Sequence, residues 1–387
     1  MEPEIQPLPS DAPTPEASLE PTFAPGPVAG ESQPWEIRAL LGILLGPRGL
    51  RAGWSVLIFY IFYRAFSPIL GTLALGIDPG LAKVSFSPGM ALIVESIPLL
   101  AILAAVGIVA LLEKRSILDY NLKGPRPAFH FITGLAVGFA AISVLVGVLS
   151  WGGWLHFGPV ALSGAAVFKA GLLWALAFLT VGLVEEGSFR CYLQFTLTRG
   201  LNFWWALAVI GTVCLDLLWR GRGNGIWGVY IVAALGLLPC LLLQLRKVSG
   251  SSFWQAAWVT STLFGFIHTN NNGENWIGIF AAALIGFVFC VSVWATGSAW
   301  WAIGCHAAWD WGETYFYGAA DSGNVAVGHY LTATPSGATL WSGGTDGPEG
   351  SLLVVPVVLL LLLAILVLYG RGKHAAQSAP IVEPAAG

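Results

Sequence analysis

Charged residues are scarce in this sequence, and several motifs of soluble enzymes and secreted proteins are missing. Only 10% of its 387 residues are charged, whereas an ordinary soluble domain has roughly 25%. The net charge of −3 gives no reason to expect a nucleic-acid partner. The first basic residue is Arg38, so no positively charged segment opens the chain and we expect no secretory signal peptide. The helical zinc-protease motif HExxH is also missing.

Cysteine is sparse as well. The chain has five cysteines and no CxxC pair, which argues against a disulfide framework or a cysteine zinc cluster. All five lie in apolar segments, which predicts small, buried, free thiols. They are Cys191, Cys214, Cys240, Cys290 and Cys305.

Apolar residues are abundant instead. They make up 56% of the chain, together with 18 Trp and 48 Gly, and the mean hydropathy is +0.73. Apolar runs of roughly 18–25 residues are long enough to cross a ~30 Å hydrocarbon layer. We therefore predict an all-α, polytopic transmembrane helical bundle of about ten spans, of which the seventh and ninth are interrupted by polar residues. The runs are about 53–75, 91–112, 129–150, 166–198, 203–219, 227–245, 253–270, 276–295, 298–316 and 351–369.

Composition divides the chain further. Residues 1–34 are rich in proline and acidic residues, which predicts a disordered tail. N-terminal membrane helices follow over 35–160, and a core that holds the polar motifs covers 161–320, with a helical pair inserted near 203–247. An extramembrane loop is expected at 321–350, and a last membrane helix with a short tail at 351–387.

The basic residues predict the orientation of the spans. If both termini are cytoplasmic, nearly all basic loop residues fall on the cytoplasmic side, as the positive-inside rule requires. Arg220 and Arg222 are the exceptions. We therefore expect an integral membrane protein with both termini cytoplasmic and the lipid bilayer as its partner. Our expectation for its location is a bacterial plasma membrane.

The stretch VGLVEEGSFRCYLQ (181–194) places three charged residues in an apolar run. A charged side chain at bilayer depth is costly, so it indicates function by default. Glu186 and Arg190 are four residues apart and share a helix face, where a structural ion pair would suffice to explain them. Glu185 points about 100° away. One paired glutamate and one free glutamate is the pattern expected of an anchor beside a reactive carboxylate.

Two further motifs carry histidines. His268 follows Phe264 by four residues near the end of a span, where a hydrogen-bonded helix terminus is the ordinary interpretation. His306 and Asp310 are also four apart, and a buried His–Asp hydrogen bond could explain them. Together with the glutamates, however, they supply the parts of a hydrolytic site. Two imidazoles and a carboxylate can hold zinc with an open position for water, and a free glutamate can act as the general base.

In order along the chain, EExxxR, FxxxH and HxxxD resemble the CPBP family of intramembrane metalloproteases, which includes the CAAX prenyl endopeptidases and bacterial proteins linked to bacteriocin self-immunity. The matching residues lie between about 165 and 318. The resemblance implies a helical bundle with a polar cavity that opens toward the cytosol. There a glutamate-activated water would cut a peptide bond of a membrane-associated peptide or protein substrate.

By this resemblance, Glu185 is the base, Arg190 pairs with Glu186, and His268 and His306 bind metal or stabilise the oxyanion. Asp310 supports the histidines. The implied cofactor is zinc. Its candidate ligands are His268, His306, Asp310 and Glu185. The chain departs from the family by roughly 60 extra residues between the first and second motifs, which puts the adjacency of the motif helices in question.

Two other functions fit the same residues. A non-enzymatic immunity or scaffold protein could keep the motifs as buried polar networks, although burying so many ionisable groups without function is costly. A transporter could use Glu, His and Asp as a proton relay, but the sequence shows no repeat symmetry of the kind that usually marks transporters. The inserted segment adds Asp216, which we expect to be a buried hydrogen-bonding residue.

Overall fold

The computed structural model describes residues 34–46, 49–82, 86–220, 226–248, 250–271 and 273–370. The predicted N-terminal tail lies outside these residues except for Pro34, and the predicted C-terminal tail lies outside them beyond residue 370. The first helix, α1 (Trp35–Leu44), belongs to a unit separate from the rest of the chain. The remaining described residues form a second, much larger unit.

The second unit is almost entirely helical, as the composition predicts. Its strands, within the described ranges, are two short antiparallel pairs, β1 (Leu45–Gly46) with β2 (Gly49–Leu50) and β3 (Leu155–Phe157) with β4 (Ala333–Pro335). The helices are α2 (Ala52–Ile77), α3 (Pro88–Leu112), α4 (Pro127–Trp151), α5 (Ala165–Glu186), α6 (Gln194–Thr198), α7 (Phe203–Trp219), α8 (Ile226–Leu245), α9 (Ser251–His268), α10 (Trp276–Thr296), α11 (Trp300–Asp310), α12 (Thr339–Ser342) and α13 (Val354–Tyr369). Two π-helical turns (Gly187–Leu193 and Trp311–Tyr317) and three 3₁₀ turns (Pro79–Ala82, Ile117–Asp119 and Pro348–Gly350) complete it.

Each of the ten predicted spans contains helix, but the helices are not equally suited to a bilayer. Within the described residues, six helical segments are long and apolar enough to cross a membrane, and α7 and α13 are shorter apolar helices. The other two, α9 and α11, contain the polar motif residues His268, His306 and Asp310. The fold is therefore the predicted polytopic helical bundle, with its least apolar helices at the predicted polar motifs.

The first motif lies within one continuous helical segment. Helix α5 passes through the π-helical turn Gly187–Leu193 into α6, giving 34 helical residues from Ala165 to Thr198. The sequence predicted this unbroken run. The wider turn begins directly after Glu186, and the Nδ2 of Asn121 donates a 2.7 Å hydrogen bond to the Arg190 carbonyl oxygen. Single π-helical turns of this kind are frequent at functional sites.

Helix α11 is central to the bundle and packs closely against α4. A Cβ at Gly138 would lie 2.2 Å from the Cys305 carbonyl oxygen, and one at Gly134 would lie 2.3 Å from that of Trp301. From the other side, a Cβ at Gly304 would lie 2.3 Å from the Phe131 carbonyl oxygen. Only glycine permits two backbones to approach this closely. The contact fixes the position of His306, which is next to Cys305.

Several loops meet at one end of the bundle, where α2, α4 and α9 end and α13 begins. We call it the loop end. There β3 pairs with β4, the Val327 amide donates to the Phe86 carbonyl oxygen at 2.8 Å, and the Asn275 amide donates to Asp346 Oδ2 at 3.1 Å. These contacts join loops that are far apart in sequence. The loop end therefore carries the acidic residues of the connecting segments.

Basic residues collect at the opposite end, where α3 ends and α4 begins, which we call the basic end. Arg199 Nη1 lies 2.6 Å from Glu113 Oε2, and its Nη2 donates to the Leu50 carbonyl oxygen at 2.8 Å. The indole of Trp300 donates to the Leu122 carbonyl oxygen at 3.0 Å. Basic residues near these contacts are Arg51, Lys114, Arg115, Lys123, Arg126 and Arg199.

The inserted pair, α7 and α8, packs against α9 through its own apolar cluster, which includes Ile210, Val213 and Val259. Asp216 does not fit our expectation of a buried residue. It is partly exposed and forms an ion pair with Arg220 one turn away, with 2.9 Å between Arg220 Nε and Asp216 Oδ2. The pair lies near the end of α7, where both side chains reach the helix surface. Arg220, an exception to the positive-inside pattern, is thus neutralised locally.

The glycine contact between α4 and α11 is testable. We expect Gly138→Ala to destabilise the protein by roughly 1–3 kcal/mol, because the new methyl group would overlap the α11 backbone. Gly147→Ala is the matched control, since the same helix has open space at that position. It should be neutral or slightly stabilising. Thermal unfolding in detergent measures both, and equal effects of the two substitutions would contradict the proposed close packing.

Candidate active site

The Glu186–Arg190 pair has the geometry that its spacing predicts. Arg190 Nε lies 3.2 Å from Glu186 Oε2, and both side chains are fully buried. A buried ion of either sign is strongly destabilising without its partner. Each side chain therefore requires the other, and together they carry no net charge.

Aromatic rings surround the rest of the Arg190 guanidinium. Its central carbon lies 4.2 Å from the ring centroid of Phe264, 5.5 Å from that of Phe289 and 5.7 Å from that of Phe189. Such contacts stabilise a desolvated cation by about 2 kcal/mol or more. Gly286 leaves room for the group, because a Cβ there would lie 2.6 Å from Arg190 Nη2. The first motif is thereby packed against Phe264 of the second, so the inserted residues do not separate the motif helices.

Glu186 also positions the third motif. Its second oxygen, Oε1, lies 2.7 Å from His306 Nδ1. This contact leaves His306 Nε2 directed toward the remaining motif carboxylates, 3.7 Å from Glu185 Oε2 and 3.5 Å from Asp310 Oδ2. One glutamate thus holds both an arginine and a histidine, while the neighbouring glutamate faces the free nitrogen of the same imidazole.

Glu185 is the less constrained glutamate. Its side chain is 27% exposed, whereas that of Glu186 is fully buried. Among the described residues, neither Glu185 Oε2 nor Glu186 Oε2 has a hydrogen-bond partner, so the two glutamates differ in exposure and in their contact with the cavity. The division into one anchored and one available carboxylate is the pattern that the sequence indicated.

His268 lies on the wall of the same cavity. Its Nδ1 is 2.7 Å from the Phe264 carbonyl oxygen. A carbonyl only accepts hydrogen bonds, so Nδ1 carries the proton and Nε2 is left available. The contact corresponds to the hydrogen-bonded helix terminus that we considered from the sequence, but it does not occupy the whole imidazole.

All six predicted site residues lie in or beside one cavity of about 300 Å³. Glu185, His268, His306 and Asp310 line it, and Glu186 and Arg190 lie behind His306. Exposed Asn271 and Asn324 also line it, which places its mouth at the loop end. No described residue of the inserted segment 203–247 contributes to its lining.

Sequence reasoning missed several carboxylates at this cavity. Glu95, Asp321 and Glu349 line it, and the Trp309 indole donates to both Glu313 Oε2 and Glu349 Oε1, at 3.0 and 2.8 Å. Glu313 is visible in the sequence as a charge three residues after Asp310. Asp321 and Glu349 carry no local signal, because only the fold of the loop end brings them to the motif helices.

The negative charge at the loop end is reflected in raised pKa values. Burial raises the pKa of Glu274 to about 8, and the neighbouring Asp346 carboxylate adds to this shift. Burial also raises the pKa of Asp346, to about 6. A hydrogen bond from the Asn275 amide lowers this pKa and so opposes the effect of burial. The pKa of Asp321 and that of Glu349 are raised mainly by burial as well. The loop end is thus a region where carboxylates are crowded and desolvated.

The donor types of the predicted zinc ligands suit zinc, but their placement does not form a compact ligand set. Within the described residues, the one group of three or more candidate ligands whose atoms all lie within 4.8 Å of one another is Glu313, Asp321 and Glu349. The contact between His306 Nδ1 and Glu186 leaves Nε2 as the nitrogen that could bind an ion. Zinc on the histidines therefore stays a prediction.

These features define a helical membrane protein with a polar site enclosed by its motif helices. Residues 239–312 match the family model for type II CAAX prenyl endopeptidase, Rce1-like. This confirms the resemblance over that segment, which contains His268, His306 and Asp310 but begins after the EExxxR motif. No curated protein and no solved structure matched the chain.

The burial of the Glu186–Arg190 pair predicts an unusually large substitution effect. Arg190→Gln should destabilise the protein by about 3–5 kcal/mol, since it leaves a buried carboxylate without its counter-charge. Arg220→Gln is a matched control, because that pair has the same spacing but is 47% and 30% exposed. It should cost about 0–1 kcal/mol. Unfolding in detergent compares them, and a small effect at Arg190 would show that the pair is not the anchor.

Proposed function

We propose that this protein is an intramembrane endopeptidase in which Glu185 activates a water for attack on a peptide bond. The observation that carries the proposal is the unequal treatment of two adjacent glutamates. Glu186 is fully buried between Arg190 and His306, whereas Glu185 is 27% exposed and lines the cavity, with its Oε2 3.7 Å from His306 Nε2. The family match supports a peptidase of the CAAX-processing class.

In the first step of the proposed reaction, Glu185 takes up a proton from the attacking water. Its carboxylate accepts a proton from a water in the cavity while that water attacks the carbonyl carbon of the substrate. The resulting tetrahedral intermediate carries an oxyanion, and Glu185 then returns the proton to the leaving amine nitrogen. Glu185 thus acts first as general base and then as general acid.

The histidines are suited to the oxyanion. Both have Nδ1 engaged, with Phe264 and Glu186 as the respective partners, so each presents Nε2 to the cavity. In their charged forms they donate from Nε2 to the developing negative charge, as oxyanion-hole donors do. Asp310 positions His306 from one turn away. Bound zinc would supply Lewis-acid polarisation, and elemental analysis of the purified protein measures whether it is present.

Glu185→Gln tests the assignment. We expect cleavage to fall by roughly 10²–10⁴-fold, the usual contribution of a positioned acid–base group, with unchanged thermal stability. The assay should include a farnesylated CAAX peptide and an unprenylated membrane-anchored peptide, so that it also reports on prenylation. Glu274→Gln is the control, since Glu274 is a loop-end carboxylate outside the cavity lining.

Two results would contradict the enzyme assignment. One is cleavage by Glu185→Gln at the wild-type rate. The other is a large loss of stability in Glu185→Gln together with no cleavage by wild type, which would favour the buried polar network of a scaffold protein.

We further propose that the cavity opens on the non-cytoplasmic side. The mouth lies at the loop end, and the basic residues lie at the opposite end. By the positive-inside rule the basic end, where α2 begins and α13 ends, is cytoplasmic. The resemblance implied a cytosolic mouth. That expectation is incompatible with a cytoplasmic basic end, because the mouth and the basic residues lie at opposite ends of the bundle. The charge pattern favours substrates that approach from outside the cytoplasm.

Cysteine labelling on intact cells decides the orientation. Asn324→Cys at the cavity mouth should react with a membrane-impermeant maleimide, whereas Lys123→Cys at the basic end should react only after permeabilisation. Both positions are exposed, and the native cysteines are buried, so background labelling should be low. The reverse pattern would place the mouth in the cytosol, as the resemblance implied.

A further inference from the structure

Three carboxylates beside the cavity form a compact group outside the proposed peptidase machinery. Glu313, Asp321 and Glu349 each offer an oxygen atom, and the three atoms lie within 4.8 Å of one another. Glu313 belongs to the π-helical turn after α11, Asp321 to the following loop, and Glu349 to the 3₁₀ turn before α13. The fold thus brings together three like charges from separate segments.

Their hydrogen-bond donors are all neutral. Trp309 Nε1 donates to Glu313 Oε2 and Glu349 Oε1, and Thr314 Oγ1 donates to Asp321 Oδ2 at 2.7 Å. Among the described residues, no lysine or arginine forms an ion pair with any of the three. The three carboxylates are therefore crowded without a lysine or arginine counter-charge, and the nearest cationic groups are His306 and His268 in their charged forms, which act on Asp321.

A second observation points directly to a ligand. The Glu313 side chain is fully buried, yet its Oε1 has no hydrogen-bond partner among the described residues. A buried acceptor left unsatisfied costs about 1–3 kcal/mol, and more when it is charged. This cost is removed if a cation occupies the space between the three carboxylates.

We propose that Glu313, Asp321 and Glu349 bind a hard divalent cation, with calcium as the best-fitting ion. All the ligand atoms are carboxylate oxygens, which suit calcium, magnesium or manganese, whereas zinc favours nitrogen and sulfur. The ligands come from a π-helical turn, a loop and a 3₁₀ turn, and calcium tolerates such irregular geometry better than magnesium does. The bound ion would tie the loop end to α11, next to Asp310.

Terbium, a luminescent calcium substitute, suits the test because the Trp309 indole contacts two of the proposed ligands and can sensitise its emission. We expect saturable emission from the full-length protein in a neutral detergent, displaced by calcium. Glu349→Gln and Asp321→Asn should each lower calcium affinity by roughly tenfold or more, since calcium affinity depends on the number of charged ligands. Asp119→Asn is the control, because this carboxylate lies at the basic end beside Lys123, and it should bind like wild type.

Calcium should also raise the thermal stability of the wild type and of Asp119→Asn, but much less that of Glu349→Gln, because an ion that binds only the folded state stabilises it. No calcium-displaceable emission from folded wild type would overturn the proposal. Unchanged affinity in both ligand variants would overturn it too, since the ion would then lie elsewhere. Neither readout uses peptide cleavage, so the result is independent of the proposed catalytic role of Glu185.

Discussion

The rest of the site depends on the contacts that the buried Glu186 carboxylate makes with Arg190 and His306. One oxygen neutralises Arg190 and the other holds His306, all within side chains that are almost entirely removed from solvent. A charge at this depth is tolerated only when it is paired. The pairing also joins three elements, because Arg190 packs on Phe264 of α9 and His306 lies on α11. The anchor thus fixes the position of the groups around it without itself facing the cavity.

Backbone packing makes this pairing possible. Glycines let α4 and α11 approach until a single methyl group would overlap the opposite backbone. That approach sets the depth of His306. On the other side, the π-helical turn after Glu186 shifts the register of Arg190, and Asn121 satisfies its displaced carbonyl. The geometry of three charged side chains is therefore determined by small residues and a local change of helix type, which are visible only once the helices are packed.

The sequence was sufficient for those features that depend on spacing along one helix. The helical class, the unbroken run through Glu185, and the Glu186–Arg190 pair all follow from periodicity and from the cost of a charge in apolar surroundings. The contact between Glu186 and His306 could not be predicted, because 120 residues separate them. The carboxylates Asp321 and Glu349 were missed for the same reason. Asp216 does form the expected hydrogen bond, but its expected burial was wrong, since its partner Arg220 lies at the helix end, where both side chains can reach the surface.

A buried charge needs a partner, and this rule has opposite consequences at the Glu186–Arg190 pair and at the three carboxylates of the loop end. At the motif helices, Arg190 balances Glu186, while the second glutamate, Glu185, lines the cavity and is partly exposed. At the loop end, Glu313, Asp321 and Glu349 have only neutral donors, so the chain itself does not complete the cluster. A buried site with its counter-charge built in needs nothing from solution to fold, whereas one without it depends on an ion or on protons. The loop end is therefore the part of the molecule whose order should respond to its surroundings, and it forms the mouth of the cavity in which Glu185 lies.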